Sequence, residues 1–109
     1  MKLYNKEDFL KLPSGTLFLT VDKNESGYRI EEDLKIKGNT INDDDFRECY
    51  PFMLNNEIDL FLSLKSVWLD VESYAREGLY NNNIKYIVLE KFDLIELQRI
   101  INEALENYR

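Results

Sequence analysis

A chain of 109 residues is the size of one ordinary domain, and its 44% hydrophobic and 13% aromatic content is enough to build one core, expected over residues 1–109. Twenty-one acids against fourteen Lys and Arg leave a net charge of −7, with no histidine and a single cysteine, Cys49. Those counts exclude an intramolecular disulfide, a structural zinc site, a Cys–His pair and a Ser-His-Asp set, and the negative charge argues against direct binding of nucleic acid.

Asn5 is placed to cap a short first helix, with Asp8 three residues on and Tyr4 and Phe9 as a hydrophobic staple. Pro13 stops that helix, and Pro13-Ser14-Gly15 reads as a turn. Thr16 to Val21, β-branched and aromatic with Leu17, Phe18 and Leu19 in a row, predicts a strand buried on both faces. Lys23 to Gly27 is a polar turn. Beyond it Tyr28 and Ile30 alternate with Arg29, and Leu34 and Ile36 with Lys35 and Lys37, at the period of a strand. Gly38-Asn39 suits a two-residue hairpin turn, with Thr40 and Ile41 returning.

From Asn42 to Tyr50 two readings stand: a short acidic helix, or a strand carrying Phe46, Glu48 and Tyr50 outward. Asn56 can cap a helix with Ile58, Phe61 and Leu62 on one face, Val67 to Glu72 alternates like a strand, and Arg76 to Asn83 is loop. Lys85 to Glu90 is a strand. Asp93 then caps a last helix, Glu96 completes a capping box, and Phe92 and Leu97 staple it. Leu97, Ile100, Ile101, Ala104, Leu105 and Tyr108 form an apolar stripe expected to be core. The fold class is therefore α+β: a mostly antiparallel sheet of four or five strands with the C-terminal helix on one face and a short N-terminal helix. Leu17, Leu19, Ile87, Leu97, Ile101 and Leu105 should be buried.

The charge is unevenly distributed. Residues 1–39 carry seven acids and seven bases, residues 40–80 carry nine acids against three bases, and residues 81–109 carry five against four. The middle third therefore supplies a candidate partner-binding surface of Asp43, Asp44, Asp45, Phe46, Glu48, Tyr50, Phe52, Glu57 and Asp59, in which carboxylates steer and aromatics anchor. Asp43 to Asp45 with Glu48 could also gather a divalent cation, although the run lacks the ligand spacing and central glycine of a calcium loop. No catalytic residue and no cofactor is indicated.

Asp8-Phe9-Leu10-Lys11-Leu12-Pro13-Ser14-Gly15-Thr16-Leu17-Phe18 resembles the opening of a group of small uncharacterised bacteriophage and prophage proteins. Tyr74-Ala75-Arg76-Glu77-Gly78-Leu79-Tyr80 is similar to a later segment of the same group, which often shows Arg-Asp-Gly-aromatic where this chain has Arg76-Glu77-Gly78-Leu79. Small size, the lack of catalytic residues and the one-sided acidic segment suit a non-enzymatic accessory protein of that phage or prophage kind. It would bind a host protein with a basic surface, a defence-system component for example, and inhibit or modulate it. A virion structural or assembly component is the second reading, and a small metal-assisted enzyme using Asp43 to Asp45 the third. With a charged opening and no apolar run of membrane-spanning length, the chain is expected to be soluble and to stay in the cytoplasm, the host's if it is phage-encoded.

Overall fold

The computed structural model describes residues 1–41, 45–51, 71, 74 and 84–108. In chain order these form β1 (Lys2–Tyr4), α1 (Lys6–Leu10), β2 (Leu17–Asn24), β3 (Gly27–Ile41), β4 (Asp45–Cys49), β5 (Lys85–Val88) and α2 (Lys91–Glu106). The five strands make one sheet in the order β1-β5-β2-β3-β4, antiparallel at every pairing. The class is α+β, as the alternation and short connections predict. The helix expected after Asn56, the strand at Val67–Glu72 and the Arg76–Asn83 loop lie almost wholly outside the described residues, and Val71 and Tyr74 sit in no regular element.

The core forms on one face around a helix of only five residues. Asn5 accepts the Asp8 backbone N–H at 2.8 Å, so α1 starts where the cap predicts. A helix this short has no stability of its own; it is held by Phe9, which is fully buried. The Phe9 ring stacks on Tyr86 of β5 at 4.1 Å and 6°, and meets Phe18 of β2 at 4.7 Å and Phe46 of β4 at 5.1 Å. Tyr4, Leu10, Leu12 and Ile84 pack around this quartet. The Thr40 hydroxyl donates to the Leu10 carbonyl at 2.7 Å and satisfies the end of α1 from β3.

One local expectation is corrected and two are narrowed. Gly38-Asn39 is not a turn: β3 runs straight through it, with a register irregularity between Lys37 and Thr40 on β4. The glycine is needed for space, since a Cβ at position 38 would stand 3.0 Å from the Arg47 carbonyl oxygen and 2.8 Å from Tyr74 Cδ1. The polar turn expected at Lys23–Gly27 is present, narrowed to Glu25-Ser26, and Gly27 after it takes a φ of +116°. Between the two alternatives for residues 42–50, Asp45–Cys49 is a strand.

The faces of the sheet carry a further correction: Leu17, Leu19 and Ile87, expected to be buried, keep part of their surface. Lys35 and Lys37 are buried on the aromatic face, because Phe18 pairs with Lys35 and Lys37 pairs with Glu48. Leu34 and Ile36 fall on the opposite face with Leu17, Leu19 and Ile87, all half-buried. Against that face α2 rests by its first turns. Leu97 lines a cleft of about 330 Å³ with Met1, Leu19, Leu34, Leu89, Asp93 and Glu96.

The helix begins three residues before the expected cap: Glu90 is the N-cap, and Asp93 reaches back to accept the Glu90 backbone N–H at 2.8 Å. Asp93 also pairs with the Met1 amino group at 2.7 Å. Phe92 is 84% exposed, so no staple forms with Leu97. The apolar stripe is not core either. Leu97 is half-buried, but Ile101 is 57% and Leu105 60% exposed, because α2 extends past the part of the sheet that meets its first turns.

Two outcomes follow from the packing. Phe9→Ala should lower stability by about 3–5 kcal/mol in urea titrations, whereas Phe92→Ala should stay within about 0.5 kcal/mol; equal effects would mean that α1 does not organise the core. Gly38→Ala should cost about 1–3 kcal/mol by overpacking, since the obstructing groups include the Arg47 backbone as well as the Tyr74 ring.

Candidate functional site

The acidic stretch is divided by the fold. Asp45, Phe46 and Glu48 belong to β4, and all three are buried; Glu48 and Phe46 keep only 1% of their surface. Tyr50, just beyond the strand, is half-buried and donates its hydroxyl to Glu48 Oε1 at 2.8 Å. The strand period does put Phe46 and Glu48 on one face, but that face points inward. In this fold Phe46 is a core ring and not an exposed anchor. Asp43, Asp44, Phe52, Glu57 and Asp59 lie outside the described residues.

What β3 and β4 bring together instead is an interior polar layer beside the aromatic quartet. Lys35 Nζ donates to Thr20 Oγ1 at 2.8 Å, lies 3.5 Å from Glu31 Oε2 and stands 5.3 Å from the centre of the Tyr50 ring. Lys37 Nζ donates to Thr40 Oγ1 at 2.9 Å and the Gly38 carbonyl at 3.1 Å, with its ammonium 5.9 Å from the Phe9 ring centre. Both side chains cover aromatic surface with their stems and bond their heads to oxygen at its edge. Glu48 sits directly across the ladder from Lys37. Burial lowers the Lys37 pKa from its ordinary value. Burial, and then the charges of Glu48 and Asp45, push the Tyr86 phenol well above the usual tyrosine range.

Chemically this layer is turned inward. Its carboxylates and ammonium groups bond neighbours on the same sheet, and the Asp45 carboxylate accepts its own strand's Phe46 N–H at 2.8 Å. Among the described residues, no group of three or more Cys, Asp and Glu is placed to hold a metal ion, so the described part of the Asp43–Asp45 and Glu48 set does not assemble one. The buried thiol of Cys49 is on the opposite face of β4 from Glu48.

The exposed carboxylates lie elsewhere, on the arm formed by β2 and β3 beyond the reach of β4. There Val21 pairs with Ile30 and Asn24 with Gly27, while β4 pairs only with Ile36–Ile41. Among the described residues, positions 28–35 therefore have no ladder partner on their outer edge. Tyr28 is 67% and Ile30 53% exposed, and Glu25, Glu31 and Asp33 are exposed around them. Arg29, Ile30, Glu31 and Asp33 line a polar cleft of about 510 Å³. Alternation alone marks Tyr28 and Ile30 as one face of a strand and leaves open where that face points. The signal that could have placed them outward is charge density, because six of the eleven residues from 23 to 33 are charged.

No protein-family model, no curated protein and no solved structure matches the chain. Among the described residues, no helix is long and apolar enough to cross a membrane.

The Tyr86 hydroxyl is buried without a hydrogen-bond partner among the described residues, so Tyr86→Phe should be neutral or stabilising at pH 7, by up to about 1–3 kcal/mol. A phenol whose pKa is raised on folding leaves the unfolded chain with fewer bound protons above pH ~10, so its contribution to stability is complete below that pH and is lost as pH rises further. Lys37, with a lowered pKa, acts in the opposite sense, adding stability as pH rises toward the ordinary lysine value. Denaturant titrations from pH 7 to 11 should show a smaller loss above pH 10 in Tyr86→Phe than in the parent chain; identical profiles would contradict the burial of the phenol.

Proposed function

We propose that the chain is a non-enzymatic protein-binding module of the phage or prophage accessory kind, which docks an acidic surface on a basic site of a host protein and so inhibits or modulates it. The observation that carries this reading is the arm: exposed Tyr28 and Ile30 set among the exposed carboxylates of Glu25, Glu31 and Asp33, on a strand stretch whose outer edge has no described ladder partner. Exposed apolar side chains offer contact area to an incoming segment, and the charged side chains that flank them give it register. The carboxylates would raise the encounter rate with a basic partner and make it fall with salt. Asp43 and Asp44 belong to the same proposal as a second acidic patch. Asp45 does not, because its carboxylate is buried in β4.

The experiment is affinity capture from host lysate with the tagged chain, followed by titration of the captured protein against two variants. Tyr28→Ser with Ile30→Ser should weaken binding at least tenfold, with circular dichroism unchanged because both side chains are exposed. Asp43→Asn with Asp44→Asn should flatten the salt dependence of the association rate. Unchanged affinity and unchanged salt dependence in both variants would refute the proposal.

A further inference from the structure

Within β4 the exposed residue is Arg47, and it stands beside an irregularity in the neighbouring strand. Lys37 pairs with Glu48 and Thr40 with Phe46, so Gly38 and Asn39 together oppose Arg47 alone. That extra residue is a β-bulge, which bends a strand and re-aims the side chains beside it. The chain holds this place from two further segments. The Pro13-Ser14-Gly15 turn is tied to β3 by the Gly15 N–H, which donates to the Lys37 carbonyl at 2.7 Å, and by the Lys37 N–H, which donates to the Thr16 carbonyl at 2.8 Å. The Thr16 hydroxyl closes the turn on the Pro13 carbonyl at 2.7 Å. Tyr74 packs against Gly38, closer than a residue with a Cβ would allow.

Ser14, Gly38, Asn39, Arg47 and Tyr74 thereby line one pocket of about 320 Å³. All but the glycine carry a side-chain group that can donate a hydrogen bond, and no carboxylate is among the described lining residues. Among the described residues, these four side chains have no hydrogen-bond or ion-pair partner. The other described arginines are placed differently. Arg99 is held by Glu103 and Glu96, and Arg29 lines its cleft with Glu31 and Asp33. Arg47 is a cation set among neutral donors, on a chain whose net charge is −7.

We infer that this pocket binds a phosphate monoester of about mononucleotide size, with the phosphate on Arg47, Ser14 and Asn39 and the organic part along the Tyr74 ring. The donor set selects the anion. A carboxylate has two coplanar oxygens, which the guanidinium fork can take by itself. A phosphate turns three oxygens outward and can use the hydroxyl and the amide as well. The volume selects the ester: about 320 Å³ falls within the range of small-molecule sites, about 300–1,000 Å³, and exceeds what a bare phosphate fills. A nucleic-acid strand is a different case, because its many phosphates meet the net charge of the chain and not one arginine. The pocket shares no residue with the arm on β2 and β3, so the two assignments stand or fall independently.

The test is a titration of the full chain, labelled for amide chemical shifts, with AMP, adenosine and inorganic phosphate as separate probes up to about 5 mM. AMP should move the amides of Ser14, Gly38 and Asn39 with a Kd below about 1 mM, and adenosine and phosphate should each bind about tenfold or more weakly. Arg47→Gln should weaken AMP binding by about tenfold or more, through loss of the charge-assisted bonds. Its circular dichroism should be unchanged, since the side chain is exposed. The inference is overturned if AMP leaves those three amides unmoved, if adenosine or phosphate alone binds as well as AMP, or if Arg47→Gln binds AMP like the parent chain.

Discussion

The insertion of one ring, Phe9, among Phe18, Phe46 and Tyr86 is the contact on which the rest of the described structure depends. Ring pairs at 4.1 to 6.0 Å, close-stacked or tilted, contribute about 0.5–1.5 kcal/mol each beyond the burial of their surface. The quartet joins β2, β4, β5 and α1, none of which would hold its shape alone. It also explains why a five-residue helix survives: the cap at Asn5 orients α1, and Phe9 anchors it.

The same quartet makes the buried lysines tolerable. An ammonium taken from water with no partner would cost several kcal/mol. Here Lys37 lies over an edge of the aromatic cluster and reaches Thr40 and the Gly38 carbonyl, while Lys35 reaches Thr20 and Glu31. These bonds tie β2 to β3 and, through Thr40, β3 to the end of α1. A polar layer of this kind is worth little as net stability, but it penalises register slips, because a one-residue slip would leave each head group without its oxygen. It serves the fold, and its buried carboxylates, Asp45 and Glu48, are turned away from any partner.

The two faces of the sheet are finished to different degrees. The aromatic face is closed by α1. On the other, α2 is pinned at its start by the Glu90–Asp93 cap, the Met1–Asp93 pair and Leu97, and its later turns present apolar side chains outward. Depressed below the usual carboxylate range by the amino group and the Glu90 N–H, the Asp93 carboxyl keeps this anchorage over the neutral range and loses it as pH falls through its folded pKa. An acidic arm at one place and an uncharged helix face at another are different kinds of surface.

The sequence by itself determined the elements whose signals are local. Asn5 and Pro13 bracket α1 through backbone chemistry that acts within a few residues, and period-two alternation marks β2, β3 and β5 wherever they pair. The helical stripe likewise marks α2, and together these carry the α+β class. Tertiary structure decided which side of each element faces inward. Lys35 and Lys37 are interior because β2 and β4 place Phe18 and Glu48 opposite them, a register that no single strand contains. Gly38-Asn39 stayed in a strand because β4 and Tyr74 pass too close for a side chain, although the dipeptide suits a turn. Phe46 and Glu48 turned from candidate surface to core for the same reason, while Tyr28 and Ile30 stand outward because β3 outruns β4. The stripe on α2 has one sequence pattern whether it meets a sheet or solvent, and only the place where the helix leaves the sheet separates Leu97 from Ile101 and Leu105. Periodicity reports that a face is apolar; what covers that face is set by contacts between residues far apart in the chain.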